Sequence, residues 1–227
     1  MSPVKPRLPD LSSATQGSPQ RPGRRERRSA ETRERIFRAA LSLFAAHGFQ
    51  ATTIEDITEA ADVGKGTFFN YFPSKEHVLA AFGELQRSKI EQAVAAAREG
   101  QETMRNVLKR LVHAAAEEPG RSPAFLRSIF IAMLSNESVR ETVAQNLELG
   151  RQRLEELVTI GQQRGEIRSD RPASDLSRVL QRSAFGTMLF WALRPTDPLA
   201  ERLEVTFDVL LSGMAAKPAS SLKEQRP

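Results

Sequence analysis

Residues 65–71 read Lys-Gly-Thr-Phe-Phe-Asn-Tyr, and three of them carry side chains able to read a base edge. Lys65 can donate to guanine O6 or N7, Asn70 can pair with adenine N6 and N7, and the Thr67 methyl can meet a thymine methyl. Gly66 has no β-carbon, so a backbone there can approach DNA closely. As a helix the segment goes against local preference. Lys65 stands in a first turn, where the macrodipole disfavours a cation, and Gly66 is about 1 kcal/mol less favourable than alanine in a helix interior. A short helix at odds with its own propensity serves a site rather than a core. Taken alone the same face would be ordinary solvated surface, so the flanking elements decide.

Those elements are legible. Stepping about 100° per residue puts Phe68 and Phe72 on one side, under Ile57 and Val63. Gly66, Thr67 and Asn70 fall opposite, with Phe69 and Tyr71 on the flanks, and Lys65 stands at the helix tip, where its stem can swing outward. The turn is Ala61-Asp62-Val63-Gly64, with Gly64 as N-cap. Before it, a helix starts at Thr52-Thr53, capped through Thr52 with Glu55 or through Thr53 with Asp56. A first helix is expected from Ser29 to His47, with Ile36, Phe37, Ala40, Leu41, Leu43 and Phe44 as its stripe and Gly48 as its stop. Three short helices, the last two joined by a tight turn, form a helix-turn-helix. Thr53 and Lys75, at the starts of the second and fourth helices, are placed for phosphate contacts that fix register.

Downstream the helical period continues. A fourth helix is expected over 75–98, a fifth from Met104, and a sixth over 125–134 that is apolar nearly all round and therefore buried. A seventh is expected over 138–164, an eighth over 174–194 and a ninth over 198–214. No segment alternates with period two, so the fold class is all-α. Helix eight carries Leu176, Leu180, Ala184, Met188 and Trp191 on one side and Phe185, Leu189 and Leu193 on the other. With helix nine it is expected to bury one face against a second copy, giving a homodimer. The division expected is a disordered basic tail (1–28), a DNA-binding domain (29–74), a helical ligand-binding and dimerisation domain (75–216), and a disordered tail (217–227).

The run from Ile36 to Leu79 resembles the tetracycline-repressor (TetR) family. The matching residues are Phe44-x-x-x-Gly48-Phe49, Thr52-Thr53-Ile54, Ile57, Ala60-Ala61, Val63, Lys65-Gly66-Thr67, Tyr71-Phe72 and Ser74-Lys75-Glu76. The resemblance implies a three-helix DNA-binding domain joined to a larger helical domain that holds a small-molecule pocket and a dimer interface. It implies DNA contacts at Thr53, Lys65, Gly66, Thr67, Phe69, Asn70, Tyr71 and Lys75. Many relatives have glycine at position 62, serine at 64 and tyrosine at 69. Asp62 tolerates a left-handed turn, Gly64 loses a side-chain cap, and Phe69 loses a phosphate-binding hydroxyl, which leaves Tyr71 as the hydroxyl donor. The expected function is a regulator, a repressor released from a palindromic operator by a small apolar or amphipathic ligand. A pocket is expected among Phe125, Ile129, Met133, Leu147, Phe185, Met188 and Trp191, with Arg127, Gln145 or Asn146 as polar partners. The alternative is a DNA-binding regulator with no small-molecule effector, and an enclosed cavity of roughly 300 Å³ or more in the larger domain discriminates the two.

Composition fits this reading. The 227 residues carry a formal net charge of +5. Residues 1–35 hold nine Lys/Arg and four Asp/Glu, so the whole excess lies there. Arg24, Arg25, Arg27 and Arg28 form a basic arm that could enter a minor groove. The chain has no cysteine and only three histidines, His47, His77 and His113. It lacks a phosphate-cradling glycine loop and paired metal-ligand spacing, and His113 with Glu117 is a weak zinc pattern. No enzyme activity, metal or cofactor is expected, and with no apolar signal segment or membrane span the protein is expected in the cytoplasm.

Overall fold

A computed structural model describes residues 23–215. The expectations for the tails at 1–22 and 216–227 lie outside the described residues. Between them the chain forms α1 (Arg24–His47), α2 (Ile54–Ala60), α3 (Lys65–Tyr71), α4 (Lys75–Glu99) and α5 (Met104–Ala116). A 3-10 turn (Pro119–Arg121) leads into α6 (Pro123–Ser135), α7 (Glu137–Gln163), α8 (Ala173–Leu193) and α9 (Leu199–Met214). Among the described residues there is no strand, only a single bridge between Ile167 and Ala215. The all-α class is as the periodicity requires.

The first helix starts five residues earlier than Ser29. The Gly23 N–H donates to the Glu26 carboxylate at 2.7 Å, and the Arg27 N–H to the Gly23 carbonyl at 3.0 Å. Arginine is a good helix former, and Glu26 opposes the dipole in the first turn. Arg24, Arg25, Arg27 and Arg28 are therefore an exposed helical turn and not part of a flexible arm. Of the two caps open for α2, Thr53 takes the role. Its hydroxyl accepts from the Asp56 N–H at 3.1 Å and its own N–H donates to Asp56 at 2.8 Å. Thr52 turns inward and donates to the Gly48 carbonyl at 2.8 Å.

Two cores form, and α4 belongs to both. Ile36, Phe44, Phe49, Ile57, Phe68 and Phe72 from α1 to α3 join Val78, Leu79 and Ala81 from the start of α4. That core does not close at residue 74, because Phe125 and Ala132 of α6 and Val139 of α7 complete it. Ala93, Val94 and Ala97, near the other end of α4, enter the second core, with residues of α5 to α9. One 25-residue helix thus bridges the DNA-facing bundle and the larger domain.

The sixth helix is not buried all round. Phe125, Leu126, Ser128, Phe130 and Ala132 face inward, but Ile131 and Leu134 are 63% and 76% exposed. The exposed apolar stripe of α8 is Val179, Phe190 and Leu193, with Val205 and Val209 on α9 beside it. Phe185 turns inward and meets Phe130 edge-on with ring centroids 5.1 Å apart.

Candidate nucleic-acid interface and internal cavity

The α3 helix has two sides of opposite character. Phe68 and Phe72 are 0% and 1% exposed, so the two anchors sit where the 100° step put them. Lys65, Gly66 and Asn70 are exposed, Thr67 is half-buried, and Thr67 and Asn70 make no side-chain hydrogen bond within the described residues. Asp62 has φ 50°, the left-handed turn residue needed before α3. Gly64 caps α3 with its carbonyl alone, accepting from Thr67 and Phe68 at 2.9 and 3.1 Å.

Electrostatics change the picture at Lys65. Its ammonium is paired with the Glu55 carboxylate on α2, and that hydrogen bond holds the Glu55 carboxyl below its ordinary value. Both side chains are more than half exposed, so the pair is weak and opens readily. Phe69 is half-exposed and stacks edge-on to Phe68 at 5.5 Å, offering apolar contact only. Tyr71 keeps a hydroxyl near this surface, but it lies 3.1 Å from the Ser29 hydroxyl and ties α3 to α1.

Lys75 departs from its sequence reading. Its ammonium does not point out toward a phosphate; it donates to the carbonyls of Phe49, Gln50 and Thr52 at 2.8, 3.3 and 3.0 Å. The loop between α1 and α2 presents these carbonyls together, and the Phe49 ring lies 4.6 Å below the charge. An ammonium has three N–H donors, and all three are taken. Thr53 stays exposed at the start of α2, but Asp56 engages its hydroxyl, which accepts from the Asp56 N–H at 3.1 Å and hydrogen-bonds the Asp56 carboxylate. Of the histidines, His113 lies 2.9 Å from Glu204 on α9 rather than beside Glu117. Among the described residues no group of three His, Cys, Asp or Glu side chains gathers as a metal site would require.

Between α4, α5, α6, α7, α8 and α9 lies a cavity of about 240 Å³, somewhat below the roughly 300 Å³ set as the mark of an effector site. Its wall is apolar apart from Gln86, Arg87, Asn146 and Gln181. Of the expected pocket residues, Ile129, Leu147, Phe185 and Met188 line it. Phe125, Met133 and Trp191 do not. Phe125 is spent on Phe82, with ring centroids 5.2 Å apart in the first core. Met133 packs between the two cores. Trp191 turns toward the loop after α8, where its indole N–H donates to the Asp197 carbonyl at 2.6 Å. Arg127 donates to the Ala192 carbonyl at 2.7 Å and Gln145 is exposed, so neither reaches the cavity. Asn146 does.

Sequence reasoning missed Gln86, although it sits in register on the apolar stripe of α4 between Phe82 and Ile90. A glutamine on a buried stripe was the available signal. Its Nε2 is buried with no hydrogen-bond acceptor, the one such side-chain atom among the described residues. A second buried polar group, Lys89, has its ammonium 2.6 Å from the Ala114 carbonyl, and burial pushes its value down.

The family described as bacterial regulatory proteins, tetR family, matches residues 36–82. The chain is similar to the crystal structure of FadR from Thermus thermophilus, described as a TetR-family transcriptional repressor in complex with lauroyl-CoA. The two are 33% identical over 85% of this chain and 100% of that one, with a TM-score of 0.60. It is 27% identical to the transcriptional repressor KstR of Rhodococcus jostii over 83% of this chain and 86% of that protein. It is 39% identical to the regulator TcmR of Streptomyces glaucescens, over 43% of this chain and 42% of TcmR's length.

Proposed function

We infer the function of this chain from one premise: it belongs to the tetR family of bacterial regulatory proteins, which are DNA-binding regulators of transcription. It acts as a homodimeric repressor on a palindromic operator, and a small amphipathic ligand releases it. The observation that carries the DNA side is the split character of α3, apolar and buried at Phe68 and Phe72, polar and outward at Lys65, Thr67 and Asn70. A helix of this kind lies in the major groove with its N-terminal residues on base edges. Thr53 adds a phosphate contact from the start of α2, and Phe69 packs against the sugar-phosphate chain.

The second copy docks on α8 and α9. These helices lie side by side, joined by the Thr187 and Thr206 hydroxyls at 3.0 Å, and present Val179, Phe190, Leu193, Val205 and Val209 to solvent. A group of large exposed apolar side chains on two neighbouring helices supports an interaction site there, and a twofold pairing matches a palindrome. The cavity takes the ligand, and α4 carries the response, since it lines the cavity at Gln86 and enters the DNA-binding core at Val78 and Leu79.

Genome-wide recovery of DNA bound by the protein tests this reading. The expected result is a palindromic site close to the promoters of a small set of genes, lost by Asn70→Ala with little change in binding to random DNA. Equal weakening on specific and random duplexes would overturn the base-reading role of Asn70.

A further inference from the structure

We infer that the ligand is a small amphiphile with a carboxylate head, seated on Arg87 and Gln86 of α4. The inference rests on the reading of the cavity as the effector site and deepens it. Two observations carry it. Arg87 is the one ionised side chain on the cavity wall, and no Asp or Glu lines the wall with it. The partner of its guanidinium is the neutral Asn146 amide oxygen on α7. Beside it, the Gln86 Nε2 is a buried donor without an acceptor.

The other two amides on the wall each have a partner within the protein. The Asn146 NH2 donates to the Thr142 carbonyl at 2.9 Å and the Gln181 NH2 to the Leu147 carbonyl at 2.5 Å. An uncompensated cation and an orphaned amide donor, adjacent on one helix, lack an acceptor that is also an anion. Leaving a buried donor unmet is unfavourable, and a charge-assisted bond to a carboxylate satisfies both groups. A neutral ligand would satisfy Gln86 and leave Arg87 as it is. A cationic ligand would be repelled.

The remaining wall sets the other end of the molecule. Ile90, Leu154, Leu180, Phe185, Met188 and Phe207 offer no polar atom to a ligand, and the volume of about 240 Å³ limits the apolar part to a small one. Close approach of α4 to α7 keeps it narrow. A β-carbon added at Gly83 would overlap the Asn146 amide, and at Gly150 it would sit 3.6 Å from Ile90.

Titration calorimetry of the full-length protein with decanoate, decanol and decyltrimethylammonium tests the head group. Wild type should bind decanoate at least about tenfold more tightly than decanol, a difference of about 1.4 kcal/mol, and the cation least. In Arg87→Gln the decanoate advantage should vanish while decanol binding stays, with Arg87→Lys recovering part of it. Equal binding of decanoate and decanol, or a preference for decanol, would overturn the carboxylate inference and leave the effector reading standing. Binding of none of the three would overturn both.

Discussion

The Lys75 ammonium donates to the Phe49 carbonyl at 2.8 Å and stands 4.6 Å above the Phe49 ring. Residues 26 apart in sequence are thereby fastened at the point where α4 leaves the DNA-binding bundle. Lys75→Met keeps the stem and removes the charge, leaving three carbonyls without their shared donor. The expected cost is about 1–3 kcal/mol of stability, seen as a lower urea midpoint by circular dichroism. An unchanged midpoint with weaker DNA binding would return Lys75 to the phosphate role.

Glu55 is paired with Lys65, and in the proposed DNA complex it competes with the duplex for that ammonium. Glu55→Gln should therefore tighten binding to every duplex and steepen the salt dependence by about one in log–log slope. Lys65→Ala should instead cost about 1–3 kcal/mol of discrimination at a single base pair. Fluorescently labelled duplexes titrated at several salt concentrations separate the two effects. Weaker binding by Glu55→Gln would mean that the pair organises α2 against α3 rather than restraining Lys65.

At the junction of α1 with the larger domain, Glu118 accepts from Arg38 and lies near Arg121. Burial pushes the Glu118 carboxyl up, but the Arg38 hydrogen bond and the charges of Arg38, Arg121 and Lys89 outweigh it and hold it below its ordinary 4.5. A carboxyl depressed in the folded state contributes stability above its unfolded value, and that contribution is lost as pH falls through the folded value. Glu118→Gln should therefore be less stable than wild type at neutral pH, and the gap should close as the pH drops below about 4.5. Urea midpoints collected from about pH 7 to about pH 3 would reveal it. A gap that persists unchanged into acid would assign the loss to packing.

Phe190 is 74% exposed and Val209 69% exposed, values out of keeping with a surface that faces only water. Phe190→Glu or Val209→Glu should place charges face to face across the proposed twofold interface and give monomers in sedimentation velocity. Operator affinity should fall sharply, because one copy then holds only one half-site. A dimer of either variant as tight as wild type would move the interface off α8 and α9.

Helix boundaries were largely legible because caps and breakers are local. Thr53 with Asp56, Ser122 before Pro123, and Gly100 after α4 each act within one turn of chain. The start of α1 was missed because arginine-rich sequence reads equally well as a helix or a tail, and a single contact from Gly23 to Glu26 decides. The two-sided character of α3 was legible for the same local reason, since one turn of helix separates Phe68 from Phe72 and turns Asn70 away. The cavity was only half legible. A stripe says which residues point inward, but whether an inward residue meets a neighbour or a void depends on contacts far along the chain. Phe125 met Phe82 and left the wall, and Gln86, hidden among Phe82 and Ile90, entered it. Lys75 failed in the opposite sense, because carbonyls of a loop 23 to 26 residues away were invisible in its own neighbourhood.

Trp191 lost its place on the cavity wall, yet its position makes the molecule self-reporting. It is the chain's single tryptophan, 7% exposed, with its indole N–H bound to the Asp197 carbonyl. All long-wavelength ultraviolet emission therefore comes from one known point near the end of α8. On one side of that helix lie Phe185 and Met188 at the cavity, and on the other Phe190 at the proposed subunit face. A shift in emission colour, or quenching by added iodide, would track repacking and subunit separation without a dye, a label or an engineered probe.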